Sequence, residues 1–213
     1  MTPPEGELFT LPAEERLGDG VVLLRGRAHD PAILAAVRGV QQAAPPRRMS
    51  TPGGYSMSVA MTSCGDLGWV TDRTGYRYDP IDPESGRPWP AMPAPLRKLA
   101  TRAAASAGFA GFAPDSCLIN LYEPGARLSL HQDRNERDFA QPIVSVSLGL
   151  PAVFLLGGPT RRDATRPVAL AHGDVLVFGG PARLFHHGVK PLKAGEHPAT
   201  GSCRINLTFR KAG

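Results

Sequence analysis

Cysteine is scarce in this chain of 213 residues, and the three present, Cys64, Cys117 and Cys203, are widely spaced and odd in number. That argues against a disulfide scaffold and for a reducing compartment. Long hydrophobic runs are missing too, since no window approaches the roughly 20 apolar residues that span a bilayer. The opening MTPPEGELFTLPAEERLGDG lacks the basic segment and apolar core of a signal peptide. The expected location is the cytoplasm, with no membrane partner. Repeats and low-complexity tracts are also lacking. What is present is ordinary for a soluble globular chain, 42% hydrophobic and 20% charged, at a length that suits a single compact unit. The net charge of +5 leans toward a polyanionic partner without locating a surface for it.

Residues 31–43, PAILAAVRGVQQA, place apolar side chains at helical spacing after an Asp-Pro start, which predicts an amphipathic helix. A second helix is expected over 93–107, ending before Gly108. From about residue 116 the texture changes to short β-rich runs divided by Gly, Pro and Asp: CLINLY, IVSVSLGL, AVFLL, PVALA, DVLVFGG, ARLFHHGV and CRINLTFR. Strands this short and closely spaced predict a sandwich or barrel. Residues 45–93 differ, being rich in Pro and Gly and holding both tryptophans, three of the four tyrosines and five interleaved arginines. Disordered segments are poor in aromatics, so a functional cover is the better reading.

The stretch LSLHQDRNERD holds the chemistry. His131 and Asp133 are one residue apart, which on a strand puts both side chains on one face. With a second, distant His they would complete a two-His, one-carboxylate facial triad, which leaves half of an octahedral Fe(II) open. The bland alternative is a strand end running into a solvated loop. His29, His172 and His197 lie in poor contexts for the third ligand, leaving ARLFHHGV, where alternation separates His186 from His187 without choosing between them. In CRINLTFR, Arg204, Asn206, Thr208 and Arg210 share one face, opposite Ile205, Leu207 and Phe209. That polar face either meets water, as is common in sandwiches, or lines a cavity in which guanidinium groups clamp a carboxylate. LINLY adds Asn120 and Tyr122 in the same pattern.

These runs, with TPGGYSMSVAMTSCGDLGW, GYRYDPIDP, RPWPAMP, LINLYEPGA, PIVSVSLGLPA and HGDVLVFGG, resemble the Fe(II)/2-oxoglutarate dioxygenases, and within them the AlkB family of alkylation-repair demethylases. The resemblance covers about residues 45–211, and 1–44 match weakly. It implies a mainly β fold with flanking helices, a double-stranded β-helix (jelly roll) with an N-terminal nucleotide-recognition lid. The implied divisions are 1–44 as an extension with the first helix, 45–93 as the lid and 94–213 as the dioxygenase core.

By that resemblance His131, Asp133 and His187 are the iron ligands, Gly188 fitting the family pattern after His187. Arg204 meets the far carboxylate of 2-oxoglutarate and Arg210 its other end, with Asn120, Tyr122 and Asn206 completing the pocket. The family reaction consumes O₂ and 2-oxoglutarate, releases CO₂ and succinate, and hydroxylates a methyl on a base nitrogen, which then leaves as formaldehyde. The implied substrates are 1-methyladenine and 3-methylcytosine in DNA, single strands preferred, with RNA as a further class, and the implied state is a monomer. A stacked base is out of reach, so it must be extruded and gripped by its face. Trp69 and His131 are expected to sandwich it, with Thr51, Tyr76 and Arg161 contacting base or backbone. One position departs from the family: relatives carry an acid two residues after the iron-binding Asp, and here stands Asn135. An amide loses the charge that favours a cationic methylated base. Two rivals remain, a 2-oxoglutarate-dependent hydroxylase of a small molecule or protein side chain, and a binding module with a structural metal. The spread of arginines speaks against the first, and the three-ligand site against the second.

Overall fold

The computed structural model describes residues 12–213. Chain order begins with the hairpin β1 (Glu14–Gly18) and β2 (Val21–Leu24), then α1 (Pro31–Ala43) and β3 (Ala60–Gly65). A second hairpin follows, β4 (Gly68–Asp72) with β5 (Gly75–Asp79), then the two-residue pair β6 (Ile81–Asp82) and β7 (Arg87–Pro88) and the helix α2 (Ala94–Ser106). The remaining strands are β8 (Ser116–Tyr122), β9 (Leu128–His131), β10 (Ile143–Gly149), β11 (Ala152–Leu156), β12 (Arg166–Leu170), β13 (Val175–Phe178), β14 (His187–Val189) and β15 (Arg204–Arg210).

Both helices fall where the periodicity predicts them. The Asp30 side chain accepts a hydrogen bond from the Ala32 amide and Pro31 takes the first helical position, so α1 starts with a side-chain cap and a preset φ. Its buried stripe is Ile33, Val37 and Val40, while α2 buries Leu96, Ala100, Ala103 and Ala104.

Seven strands form a major sheet in the order β1-β2-β13-β10-β15-β8-β3, and four form a minor sheet in the order β12-β11-β14-β9. Alternation gives the major sheet two buried faces. Val22, Leu24, Val144, Val146, Val175, Val177, Ile205, Leu207 and Phe209 pack with both helices in one cluster. Val21, Leu23, Ile143, Leu176 and Phe178 turn the other way, joining Phe154, Leu156, Val168 and Val189 of the minor sheet. Aligned sheets with a shared apolar interior of this kind make a sandwich.

Two placements go beyond the periodicity. The hairpin β1–β2 joins the major sheet through β13, in register Val22↔Val177. The segment 45–93 supplies β3, which pairs with β8 in register Cys64↔Cys117. In ARLFHHGV the strand begins only at His187, because Gly180–Ala182 form a 3₁₀ turn ahead of it. Among the described residues no helix is long and apolar enough to cross a membrane.

Candidate metal centre and substrate cavity

Between the mouth of the sandwich and the β4–β5 hairpin lies a cavity of about 1020 Å³. Every position singled out from the sequence lines it: His131, Asp133 and His187; Asn120, Tyr122, Arg204, Asn206 and Arg210; Thr51, Trp69, Tyr76, Asn135 and Arg161. His29, His172 and His197 form a separate row, with successive ring centroids 5.2 and 4.6 Å apart.

The minor sheet builds the metal centre. β14 pairs with β9 so that His187 stands directly across from His131, with ring centroids 4.4 Å apart. Asp133 follows just past the end of β9, its carboxylate oxygens 3.7 Å from His131 Nε2 and 3.8 Å from His187 Nε2. One ligand atom from each of the three lies within 4.8 Å of the others, a spacing at which one ion can bridge all of them. The tautomers are set by the backbone. His131 Nδ1 lies 2.8 Å from the Ser129 carbonyl oxygen and His187 Nδ1 3.0 Å from that of Phe185. A carbonyl only accepts, so each Nδ1 carries the hydrogen and each Nε2 offers its lone pair to the shared point. His187 is packed between Phe154 and Phe178. Burial, helped by His131, lowers its pKa to about 4, so the ring is neutral and ready to ligate at pH 7. Burial alone would raise the Asp133 pKa, but the Arg210 guanidinium, with the two histidines, holds it far below the usual carboxylate range. His186 lines the cavity but lies outside this triad, facing the Gly158 carbonyl at 3.4 Å.

The strand β15 faces the cavity with its polar side. Arg204, Asn206, Thr208 and Arg210 are all buried, so the polar face does not meet water. Arg204 lies 4.9 Å over the Tyr122 ring and donates from Nη2 to Ser147 Oγ at 2.8 Å. Its Nε and Nη1 have no partner, and neither has Arg210 Nη1. A buried guanidinium without an acid is costly to keep, and these orphaned donors fit a dicarboxylate co-substrate. Asn206 donates to Ser145 Oγ at 2.8 Å and to the Val146 carbonyl at 3.0 Å, while Asn120 donates to Asn206 Oδ1 at 3.2 Å. Ser145 is an additional pocket residue, and Ser147 stands behind it as the acceptor for Arg204. Their signal was the polar register of IVSVSLGL, where serines alternate with Val144, Val146 and Leu148 of the core.

A second network fixes the loop after the triad. Glu136, a member of the charge run, is buried, 3.0 Å from Arg183 Nη2, 3.3 Å from Arg210 Nε and 2.6 Å from the Tyr78 hydroxyl. Arg183 also donates to the carbonyls of Asp133 at 2.8 Å and Gln141 at 2.9 Å. Tyr78 sits on β5, so this cluster ties the hairpin to the loop that carries Asp133 and Asn135. Burial raises the Tyr78 pKa well above its usual value, which keeps its hydroxyl a donor. Over the cavity, Trp69 stacks on Tyr76 with centroids 5.7 Å apart and donates from Nε1 to Asn135 Oδ1 at 3.4 Å. The other tryptophan has a structural role: Trp89 is buried, donates to the Asp79 carbonyl and packs against Gly68.

Residues 20–210 match the family model of the 2OG-Fe(II) oxygenase superfamily. The chain is 56% identical over 204 residues to the alpha-ketoglutarate-dependent dioxygenase AlkB of Escherichia coli, covering 95% of this chain and 94% of that one. It is 49% identical over 182 residues to the AlkB homolog of Caulobacter vibrioides, covering 85% and 81%. Among solved structures, that of OsALKBH1 superposes with a TM-score of 0.81 at 29% identity, over 93% of this chain and 99% of that one. With a facial triad inside a matching fold and sequence similarity along nearly its whole length, the chain belongs to the 2OG-Fe(II) oxygenase superfamily.

Proposed function

We propose that this chain, acting as a cytoplasmic monomer, removes alkyl groups from base nitrogens in DNA, single strands preferred and RNA as a further class, by 2-oxoglutarate-dependent oxidation. The observation that carries this reading is the joining of two sites in one cavity. Ligands for Fe(II) and orphaned arginine donors for a dicarboxylate lie beneath a hairpin that turns Trp69 and Tyr76 to the cavity. High identity to AlkB along the chain supports the same reading. Bound Fe(II) with 2-oxoglutarate and O₂ supplies the oxidation of a methyl C–H bond, with succinate and CO₂ as co-products.

The protein's own groups do the rest. His131, Asp133 and His187 would hold the metal, each imidazole being oriented by a backbone carbonyl and the carboxylate by Arg210. Arg204 takes the far carboxylate and Arg210 the near one, with Asn120, Tyr122 and Asn206 bounding the pocket. Trp69 stacks on the face of the extruded base opposite His131, and Thr51, Tyr76 and Arg161 contact base or backbone. The segment 45–93 acts as the lid through its β4–β5 hairpin, residues 94–213 carry the catalytic core, and residues 1–44 add the first hairpin and helix; of these, 1–11 lie outside the described residues.

The test is a single-stranded oligonucleotide with one methylated base, such as 1-methyladenine or 3-methylcytosine, incubated with Fe(II), 2-oxoglutarate and O₂. Loss of one methylene in mass with formaldehyde released is the expected result. Succinate formed with every lesion intact would remove the proposal and favour a different hydroxylation substrate.

A further inference from the structure

Behind the arginine clamp lies a row of three histidines that the reaction does not use. His172 stands in the middle, on the turn between β12 and β13, flanked by His29 from the β2–α1 connection and His197 from the β14–β15 connection. The packing around the row is close. A Cβ at Gly173 would lie 2.8 Å from the His29 ring, and one at Gly149 would lie 2.1 Å from Thr200 Oγ1. Hydrogen bonds set the protonation of the central ring. The Gly149 amide donates to His172 Nδ1 at 2.9 Å, so Nδ1 is unprotonated and the hydrogen sits on Nε2. His197 Nδ1 likewise accepts from the Ala199 amide, at 3.2 Å. An imidazolium has no lone pair, so charging His172 turns its bond with Gly149 into a contact between two donors. The groups that face it give the charge no support. His29 and His197 are like-charged when protonated, and the α1 cation Arg38 is bound to the Ala199 carbonyl beside His197. The Asp174 carboxylate, on the same turn, is taken up by Arg25 and by the Gly26 and Ala171 amides. Burial, with His197 and His29 alongside, accordingly lowers the His172 pKa.

The turn that holds His172 is bonded to the strand behind Arg204. The Ser147 amide donates to the Asp174 carbonyl at 2.9 Å, and the Ser147 carbonyl accepts from the Gly173 amide at 2.8 Å. Ser147 Oγ is in turn the acceptor for Arg204 Nη2. Gly149, whose amide His172 holds, pairs with Arg204 across β10 and β15. The carbonyl of Cys203, just before Arg204, accepts from the Leu150 amide and from Thr200 Oγ1 in the loop that carries His197. Resting on the reading that Arg204 takes the far carboxylate of 2-oxoglutarate, we propose that His172 is a pH-sensitive latch on that clamp. Neutral His172 holds the end of β10 in place. Protonated His172 releases the Gly149 amide and loosens the Ser147–Arg204 pair. The latch is closed at pH 7 and opens as pH falls through the lowered pKa, so 2-oxoglutarate binding weakens in acid.

The test measures Kd for 2-oxoglutarate by calorimetry between pH 7.5 and 5.0, with one equivalent of Zn(II) in place of Fe(II), for the native protein and for His172→Asn. Asparagine keeps an acceptor oxygen for the Gly149 amide and does not titrate. Protonation of the metal ligands acts on both proteins alike, so the ratio of the two Kd values isolates His172. That ratio, native to variant, should rise as pH falls, toward about fivefold, the scale of one lost hydrogen bond. A second measurement needs no variant. Binding and protonation are reciprocal, so adding 2-oxoglutarate to the native Zn(II) protein should raise the acid dissociation constant of His172, followed by NMR of labelled histidine, by the same factor. A flat Kd ratio, or a His172 titration unmoved by 2-oxoglutarate, would overturn the latch and leave the clamp reading standing. Failure to bind 2-oxoglutarate at any pH would overturn both.

Discussion

Replacing Arg204 with Met separates the stability of this protein from its co-substrate binding. Arg204 is 1% exposed, and two of its guanidinium nitrogens have no partner. Met keeps most of the apolar stem and removes the buried charge. Relief of an unpaired buried charge by an apolar replacement stabilises by about 1–4 kcal/mol. Against that, the variant loses the bond to Ser147 Oγ, about 1 kcal/mol, and the stack on Tyr122, about 1–2 kcal/mol. The terms offset, so urea unfolding of the metal-free variant should fall within about 2 kcal/mol of the native protein. Binding behaves differently. Removing the cation that meets a buried carboxylate costs about 2–5 kcal/mol, a weakening of thirtyfold or more for 2-oxoglutarate by anaerobic calorimetry with Fe(II). A variant destabilised by more than about 3 kcal/mol that still binds 2-oxoglutarate normally would show that Arg204 is a structural residue, and the reasoning would be wrong.

Three further outcomes follow from the same contacts. A Cβ at residue 68 would sit 2.2–2.7 Å from the Trp89 indole; Gly68→Ala should therefore lower stability by about 1–3 kcal/mol in urea unfolding and weaken oligonucleotide binding, since β4 carries Trp69. Glu136→Gln removes the charge facing Arg183 in a site that is almost dry, and should cost about 2–4 kcal/mol of stability and reduce metal affinity through the Asp133 loop, both read by calorimetry. The His187 pKa falls on folding from 6.5 to about 4, so the unfolded chain binds the extra proton between those values and stability is lost as pH falls through that window. Metal-free protein should lose about 2 kcal/mol from this group between pH 7 and 5, a step that His187→Gln should lack.

Much of the site was legible because it is written in strand alternation. His-x-Asp at a strand end, the polar register of CRINLTFR and the aromatics before the second helix each carry local signals, and the cavity gathers them. The choice between His186 and His187 was not local. It depends on the 3₁₀ turn at Gly180–Ala182, which delays the strand until His187 and sets it across from His131. Glu136 reads as one more solvated charge in RNERD, and only partners far along the chain, Tyr78, Arg183 and Arg210, make it a buried tie. The hairpin β1–β2 has little signal of its own, because its strands are stabilised by β13, far along the chain. Trp69 and Trp89 look alike in sequence; the close approach of Gly68 to one indole and the open cavity under the other separate them.

The central claim is that one triad and one arginine clamp hold Fe(II) and 2-oxoglutarate together in this cavity. Anaerobic titration of the protein with Fe(II) and 2-oxoglutarate, followed by visible absorption, measures that directly. The account predicts a metal-to-ligand charge-transfer band that needs both components, saturates at one equivalent of iron and disappears in Asp133→Ala. Its absence in the native protein, or its survival in that variant, would contradict the account.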